Sequence, residues 1–470
     1  MADEKRLNEQ YEPRKRWPVV VAVIITAIIA FSVGYFPFHT SPTSQQTSTV
    51  NIQFYESVAT SEQAFIEKTL IPQFESQYPN IKVTFVNFGS EGVSQNILAL
   101  EQSGDVGSIV AGQDNLEIGS LIYSSQGNVL MNLTSASSSL MPSTMIPAAR
   151  NLVNYEKQVF GGVYFFPFRG NVPLVFYNKT MFQSAGISNP PSTDAQLLQD
   201  AAMIYNKTHQ KAVMIQGAST SSGHSGSSTA TELYQWMVQY GGNPLYLNDS
   251  GDLHAMQFIY NLSAYFSPSF TGGYWGSYAG LYHGNYSVLD YQWPYIYNIL
   301  TASPYNMTNS SLGVYPGPAG PVNGNHLMGG DVLFIPKGAT NVPSLETFIK
   351  FLLSTQAQRE TLLNLSWVAI NSAAYQNLPA KYSAIDTALG NAIETGVFLR
   401  NPTPWITEWQ VILDNTVFNP VFVQKSSGYS DLPTLLSNAH TAMYQYILKN
   451  YGSTNATLYQ SDSNYAPISV

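Results

Sequence analysis

The chain has 470 residues, more than one ordinary domain uses, so two or three folded units are expected. Its 20 Lys plus Arg against 29 Asp plus Glu leave a net charge of −9, yet only 10% of residues are charged, so Ser, Thr, Asn, Gln and Tyr must wet most of the surface. A 44% hydrophobic share excludes bulk disorder, the acidic balance without basic blocks excludes phosphate-dominated nucleic-acid binding, and the lack of Cys excludes disulfides, thiolate metal sites and a Cys nucleophile.

Residues 1–16 are short and mixed in charge and read as a cytosolic tail. Trp17–Phe36 is apolar except for Thr26 and Ser32, and twenty residues at a helical rise span about 30 Å, enough to cross a bilayer. Arg14, Lys15 and Arg16 precede the run, so the positive-inside rule predicts a transmembrane anchor over 17–38 with everything after it extracellular. The rival reading is a cleaved signal peptide with Ser32-Val33-Gly34 as its processing site. Residues 39–49 (HTSPTSQQTST) read as a flexible tether. Asn132, Asn178, Asn206, Asn248, Asn261, Asn285, Asn306, Asn309, Asn364 and Asn455 open Asn-x-Ser/Thr sequons and are candidate glycosylation sites, although a chain this rich in Asn, Ser and Thr makes several such matches by chance.

Beyond the tether, strands and helices alternate. VNIQFY (Val50–Tyr55) alternates apolar and polar residues as a strand does. Thr60-Ser61-Glu62 offers N-cap chemistry to a helix reaching about Gln77, which Pro79-Asn80 ends. Ile81–Val86 is a second strand, Ser94–Gln102 a helix and Gly104–Val110 a third strand. This β-α-β order predicts parallel pairing with right-handed crossovers. Further strands are expected at Leu174–Tyr177, Ala212–Ile215 and Asp331–Ile335, and helices near 344–353, 356–363, 405–417 and 431–449. A Gly/Ser loop (Gln216–Ser228) and a Pro/Gly loop (Tyr315–Asn325) separate them, and no solenoid period is present.

Several segments, in order, resemble one family. FYES (Phe54–Ser57) with LIPQFESQYPNIKVTF (Leu70–Phe85), GDVGSIV (Gly104–Val110) with LMNLT (Leu130–Thr134), and GGVYFFPFRGNVPLVFYNKTMFQSAGISNPPST (Gly161–Thr193) are similar to the extracellular solute-binding proteins of ABC importers. GVYPGPAGP, GGDVLFIPKGATN and SLETFIKFLLSTQAQRETL extend the likeness to the sugar-binding group that includes maltose-binding protein. The resemblance covers about residues 50–450. It implies an α/β, two-lobed periplasmic-binding-protein-like (Venus-flytrap) fold, here preceded by one N-terminal transmembrane helix. It implies lobe I from 50–168 plus 326–373, lobe II from 169–325 plus 374–455 and a tail at 456–470. It also implies a ligand shut between hinged lobes, a partner permease with a separate ATPase, no cofactor or metal, and no enzymatic activity.

The same resemblance places candidate ligand-binding residues. Glu56 and Ser57 end the first strand, and Gln113 and Asp114 follow the third. Arg169 to Asn171 lie in the crossover, where Asn171 stands at a position that carries a ligand-binding carboxylate in maltose-binding relatives. Asp290, Tyr291 and Trp293 fall near the family's stacking aromatic. Gly329, Gly330 and Asp331 mark the return to lobe I. Trp367, Trp405, Glu408 and Trp409 match further cleft positions, and His224 reaches toward the cleft from its loop. Each has a plain alternative: a Trp is most often core, and a carboxylate often caps a helix. Aromatic plates with hydrogen-bonding side chains and few ions suit a neutral sugar, with an oligopeptide as the alternative ligand.

Other function classes leave weaker traces. GHSG (Gly223–Gly226) falls one residue short of a G-x-S-x-G elbow, no spacing pairs two carboxylates for glycoside hydrolysis, and neither HExxH nor a P-loop is present. A surface adhesion protein would use the tether and the polar composition but would not need the ordered segments. The anchor, sequons and sparse ions together point to an archaeal cell surface.

Overall fold

The structure, a computed structural model, describes residues 48–88, 93–217, 227–272, 274–379, 382–461 and 466–469. In the first strand, β1 (Val50–Glu56), alternation buries Ile52, Phe54 and Glu56 on one face, so the strand's own period carries a carboxylate inward at its end. β2 (Ile81–Asn87), β3 (Ile109–Asp114) and β4 (Phe165–Pro167) follow. The chain crosses through β5 (Arg169–Gly170) to β6 (Leu174–Asn178), β7 (Val213–Met214), β8 (Val288–Gln292) and β9 (Leu312–Tyr315). It returns through β10 (His326–Leu327) to β11 (Asp331–Phe334), then adds β12 (Val368–Ala369), β13 (Val397–Leu399) and β14 (Ile468–Ser469).

Two main sheets result, ordered β2-β1-β3-β11-β4 and β7-β8-β6-β9, with a small β10-β13-β14 sheet and a β12-β5 pair besides. β1 pairs in parallel with both β2 and β3, as the β-α-β order predicts, whereas β11 runs antiparallel to β3 because it re-enters from the other sheet. The links between the sheets are short. β5 pairs with β12, β10 with β13, and Asn171 and Gly329 exchange backbone hydrogen bonds of 3.1 and 2.8 Å. Beneath the first sheet Phe54, Phe74 and Phe348 meet edge to face at 4.9–5.3 Å. The second half packs Tyr234, Trp236, Trp409 and Met443 into a separate core.

Several expected elements shift for identifiable reasons. The third strand starts at Ile109, not Gly104, because Gly104 and Gly107 take positive φ (73° and 70°) and form the turn before it. The first helix runs over 60–77, but Ile66–Leu70 widens to π geometry just before Pro72, which has no N–H for the Lys68 carbonyl. A second π stretch, Asp414–Val423, holds Pro420 in the same way. The last helix, Leu432–Tyr459, bends at Gly452 (φ 84°).

One glycine at the return crossover is indispensable. Gly330 has φ 116°, and a Cβ there would collide with the Arg169 carbonyl oxygen. Gly330→Ala is therefore expected to destabilise the fold by about 1–3 kcal/mol from backbone strain alone, with the collision adding to it. A urea midpoint equal to wild type would refute this.

The fold class needs one correction. Among the described residues no helix is long and apolar enough to cross a membrane, and the expected span at 17–38, like the 1–16 tail and most of the tether, lies outside those residues. The described residues form the two-lobed α/β fold; the N-terminal transmembrane helix, the single-pass topology and attachment to a membrane through that helix are withdrawn.

Candidate functional site

The ends of β1 and β3 and the start of β11 bring three carboxylates to one edge of the first sheet. Register places Asp331 directly opposite Asp114, an arrangement of like charges that destabilises a strand pair unless each is neutralised. Two arginines do this. The Arg169 Nε donates to Asp331 Oδ2, and the Arg400 Nη2 lies 3.1 Å from Asp114 Oδ1.

Arg169 is the hub. Its guanidinium lies 4.1 Å over the Trp367 ring, and its Nη1 is 3.7 Å from Glu62 Oε1. Trp367 Nε1 donates to the same Glu62 oxygen at 2.7 Å, while Glu62 Oε2 accepts the Ala59 N–H at 2.8 Å. Burial would lower the Arg169 pKa, but Asp331, Glu62 and Glu56 outweigh it and hold the group above its usual value. Glu56 is only 1% exposed, and its carboxyl occupies the space where a side chain at Gly112 would begin. Burial and then Asp331 push the Glu56 carboxyl well above the usual range, against the pull of Arg169 and of the Ser57 N–H that donates to it at 3.1 Å.

The other half faces this cluster across Gly329. A Cβ at Gly329 would stand 3.2 Å from Arg400 Nη2, 3.6 Å from the Asn171 carbonyl oxygen and 3.7 Å from Trp293 Cη2, so these three groups surround one bare backbone position. Arg400 Nη1 also donates to Thr231 Oγ1 at 3.2 Å, which ties Asp114 on the first sheet to the Ser227–Gln239 helix on the second. Tyr295 follows Trp293, shares a 3.3 Å hydroxyl contact with Tyr278, and feels Glu62 and Arg169.

The remaining candidates lie elsewhere or face inward. Gln113 donates to Glu117 and is 8% exposed. Asp290 is fully buried in β8, where burial pushes its pKa up to about 7. The Tyr291 hydroxyl lies 2.9 Å from the Pro318 carbonyl oxygen and 3.1 Å from Gln239 Oε1, which share its one proton. Trp409 is core: its indole donates to the Pro244 carbonyl at 2.8 Å and its ring meets Tyr234 edge-on. Trp405 packs 5.5 Å from Tyr451, and Glu408 is near Tyr446 and Tyr451. His224 and GHSG lie outside the described residues. Of the sequon asparagines, Asn178 is buried, caps a helix through the Met181 N–H and donates Nδ2 to the Leu281 carbonyl at 3.0 Å, so its amide has no room for a glycan.

The cluster therefore joins Glu56, Asp114, Arg169, Asn171, Trp293, Gly330, Asp331 and Trp367 with four residues the sequence reading did not single out as site residues: Glu62, Thr231, Tyr295 and Arg400. Glu62 was legible only as a capping residue. Arg400 left one trace, a lone cation ending the apolar strand VFL before Asn401-Pro402. The guanidinium and carboxylate charges are largely spent on each other, which leaves aromatic faces and hydrogen-bonding edges for a ligand.

No curated protein matches the chain by sequence. Among solved structures, maltose-bound T. maritima MalE3 is 19% identical, with 84% of this chain and 100% of that chain covered at a TM-score of 0.69. The GacH receptor of Streptomyces glaucescens GLA.O, solved unliganded and with acarbose, is 18% identical, with 86% and 99% covered at 0.70. The sugar-binding protein MalE from Xanthomonas citri is 17% identical, with 85% and 100% covered at 0.70. These likenesses give the fold. The model of the bacterial extracellular solute-binding proteins matches residues 56–359; it lends no support to an archaeal source, and that expectation is withdrawn. It also sets the hydrolase reading aside, since the family binds solutes and does not transform them. With a match from Glu56 to Arg359, the chain belongs to the bacterial extracellular solute-binding protein family.

Proposed function

We propose that the chain is the substrate-binding subunit of an ABC importer, holding a neutral sugar between its two lobes and delivering it to a permease powered by a separate ATPase. The observation that carries this reading is the ring of Trp293, Asn171 and Arg400 around Gly329, beside Trp367 stacked on Arg169. An apolar sugar face needs an aromatic plate, and hydroxyl edges need donors and acceptors, and this crossover supplies both. The cluster sets Glu56, Glu62, Asp114 and Asp331 against Arg169 and Arg400, so both guanidiniums are taken and neither is left for an anionic solute. The similar structures of known content hold maltose and acarbose, which agrees with this ligand class.

A thermal-shift screen of mono- and oligosaccharides against short peptides tests the reading. Ligand at a hundred times its Kd stabilises the folded state by about 2.7 kcal/mol, a measurable rise in Tm. One neutral sugar is expected to give it. Trp293→Ala is expected to weaken that sugar roughly tenfold or more, the loss of about 1.4 kcal/mol, with little change in the ligand-free Tm. Stabilisation by peptides alone, or by no sugar, would overturn the assignment.

A further inference from the structure

The segment after β13, residues 400–404, is held from two sides. On one side it runs into Trp405, Ile406 and Trp409, which share the core of the second half with Tyr234 and Trp236. The Tyr451 hydroxyl donates to the Pro404 carbonyl at 3.0 Å and Arg400 Nη1 to Thr231 Oγ1 at 3.2 Å, so both ends of the segment are anchored there. On the other side it meets the first half three times. Arg400 Nη2 lies 3.1 Å from Asp114 Oδ1 at the end of β3. The Tyr155 hydroxyl, on the helix Pro147–Val159, donates to Asn401 Oδ1 at 3.3 Å. Thr403 brings its backbone onto Gly119, where a Cβ would stand 2.6 Å from the Thr403 carbonyl oxygen and 2.9 Å from its nitrogen.

Gly119 is explained by that approach alone. It opens the short helix Gly119–Ile122 without the positive φ that favours glycine, so its backbone suits any residue and only Thr403 forbids a side chain. The rest of the contact is not filled as a permanent core is. Past Gly119 the two walls part, leaving a cavity of about 330 Å³ between Ile122 and Tyr123 on one and Pro402 and Trp405 on the other. Opposing effects also meet at Arg400. It is buried and paired with Asp114, but its Nε has no hydrogen-bond partner among the described residues, a cost that leaving the first half would relieve. A small polar contact of this kind suits surfaces that come together and part.

We propose that segment 400–404 is a closure latch: it travels with the second lobe and docks on Asp114, Gly119 and Tyr155 of the first when the lobes shut. The latch sets how much of the chain is shut before any solute arrives. A solute then supplies only the remainder, so a stronger latch raises apparent affinity without touching the solute. Gly119 is the seat, kept bare so that the Thr403 backbone can reach it. The inference rests on the two-lobed fold and holds whatever solute the cleft takes.

The chain has no Cys, so one spin label can be set on each lobe through Ser139→Cys and Gln183→Cys, both at exposed helical positions. Pulsed electron resonance then reads the distance between the labels with no sugar added. Wild type is expected to show a short, shut distance. Gly119→Val, whose side chain meets Thr403 only in the docked arrangement, is expected to raise the ratio of long to short distances roughly threefold or more, with the urea midpoint unchanged. Asp114→Asn keeps the oxygen that accepts the Leu116 N–H at 2.8 Å and removes the charge. It is expected to move the ratio the same way, roughly twofold to fivefold. Where the valine also lowers the midpoint, Asp114→Asn decides. The proposal is overturned if the deciding variant leaves the distances as in wild type, since the contact is then part of a permanent core, or if wild type shows no short distance.

Discussion

Arg169→Ala is expected to cost about 3–5 kcal/mol of stability at neutral pH, because it strips the shared counter-charge from buried carboxylates. Asp331 loses its direct partner, and Glu62 keeps only the Ala59 and Trp367 donors. The Trp367 ring also loses the guanidinium that covers it. Lowering the pH offers the carboxylates another route to neutrality, by taking up protons. The deficit of the variant against wild type is thus expected to shrink between pH 7 and pH 5. Arg169→Lys retains the charge but neither the planar fork nor the stack, and recovers only part of the loss. Urea denaturation of the three proteins at both pH values decides the matter. A deficit that is constant with pH would mean the arginine acts through packing alone.

The sequence made the crossovers legible because crossovers are written in local chemistry. Glycines at 329 and 330, an apolar strand leaving Asn171, and a proline-rich approach through GVYPGPAGP each constrain the backbone within a few residues. Alternation in VNIQFY likewise extended far enough to point Glu56 inward. What failed was anything set by distant partners. Trp409 sits in an amphipathic helix that reads equally well as facing a cleft or a core, and only Pro244 and Tyr234, more than 160 residues upstream, turn it inward. Arg400 gains its meaning from Asp114, 286 residues away, and no local pattern encodes that pairing. The helices Pro147–Val159, Ser250–Leu262 and Ser383–Thr395 also escaped the chain-order reading, although the first is strongly amphipathic and buries Ala148, Ala149, Leu152, Val153 and Glu156.

The second large effect is a gain of stability on mild acidification, opposite to the usual course of acid unfolding. Glu56, Glu156, Asp194, Glu232 and Asp290 are all at most 2% exposed, and burial is the leading cause that raises each above its ordinary pKa. Proximity to Asp290 adds to the rise at Asp194 and Glu232. Backbone N–H groups of Tyr164 and Phe165 donate to Glu156 at 2.7 and 3.0 Å and oppose its shift without cancelling it. A carboxyl whose pKa is higher in the folded state holds its proton there after the unfolded chain has released it. Its stabilisation is complete below the unfolded pKa near 4 and is lost as pH rises through the folded value. For Asp290, with a folded value of about 7, the window runs from about pH 4 to pH 7 and is worth roughly 4 kcal/mol. His326 works the other way: burial lowers it to about 4, so its stabilisation is present above pH 6.5 and is lost as pH falls toward 4, a comparable amount. Those two nearly offset, and Glu56, Glu156, Asp194 and Glu232 tip the sum toward acid. The urea midpoint is therefore expected to be higher at pH 4.5 than at pH 7. Asp290→Asn should raise stability at pH 7 and flatten the slope, since a neutral amide at that site has no proton to lose. A midpoint that falls steadily from pH 7 to pH 4.5 would mean these carboxyls fold as anions, and the case for buried neutral acids would fail.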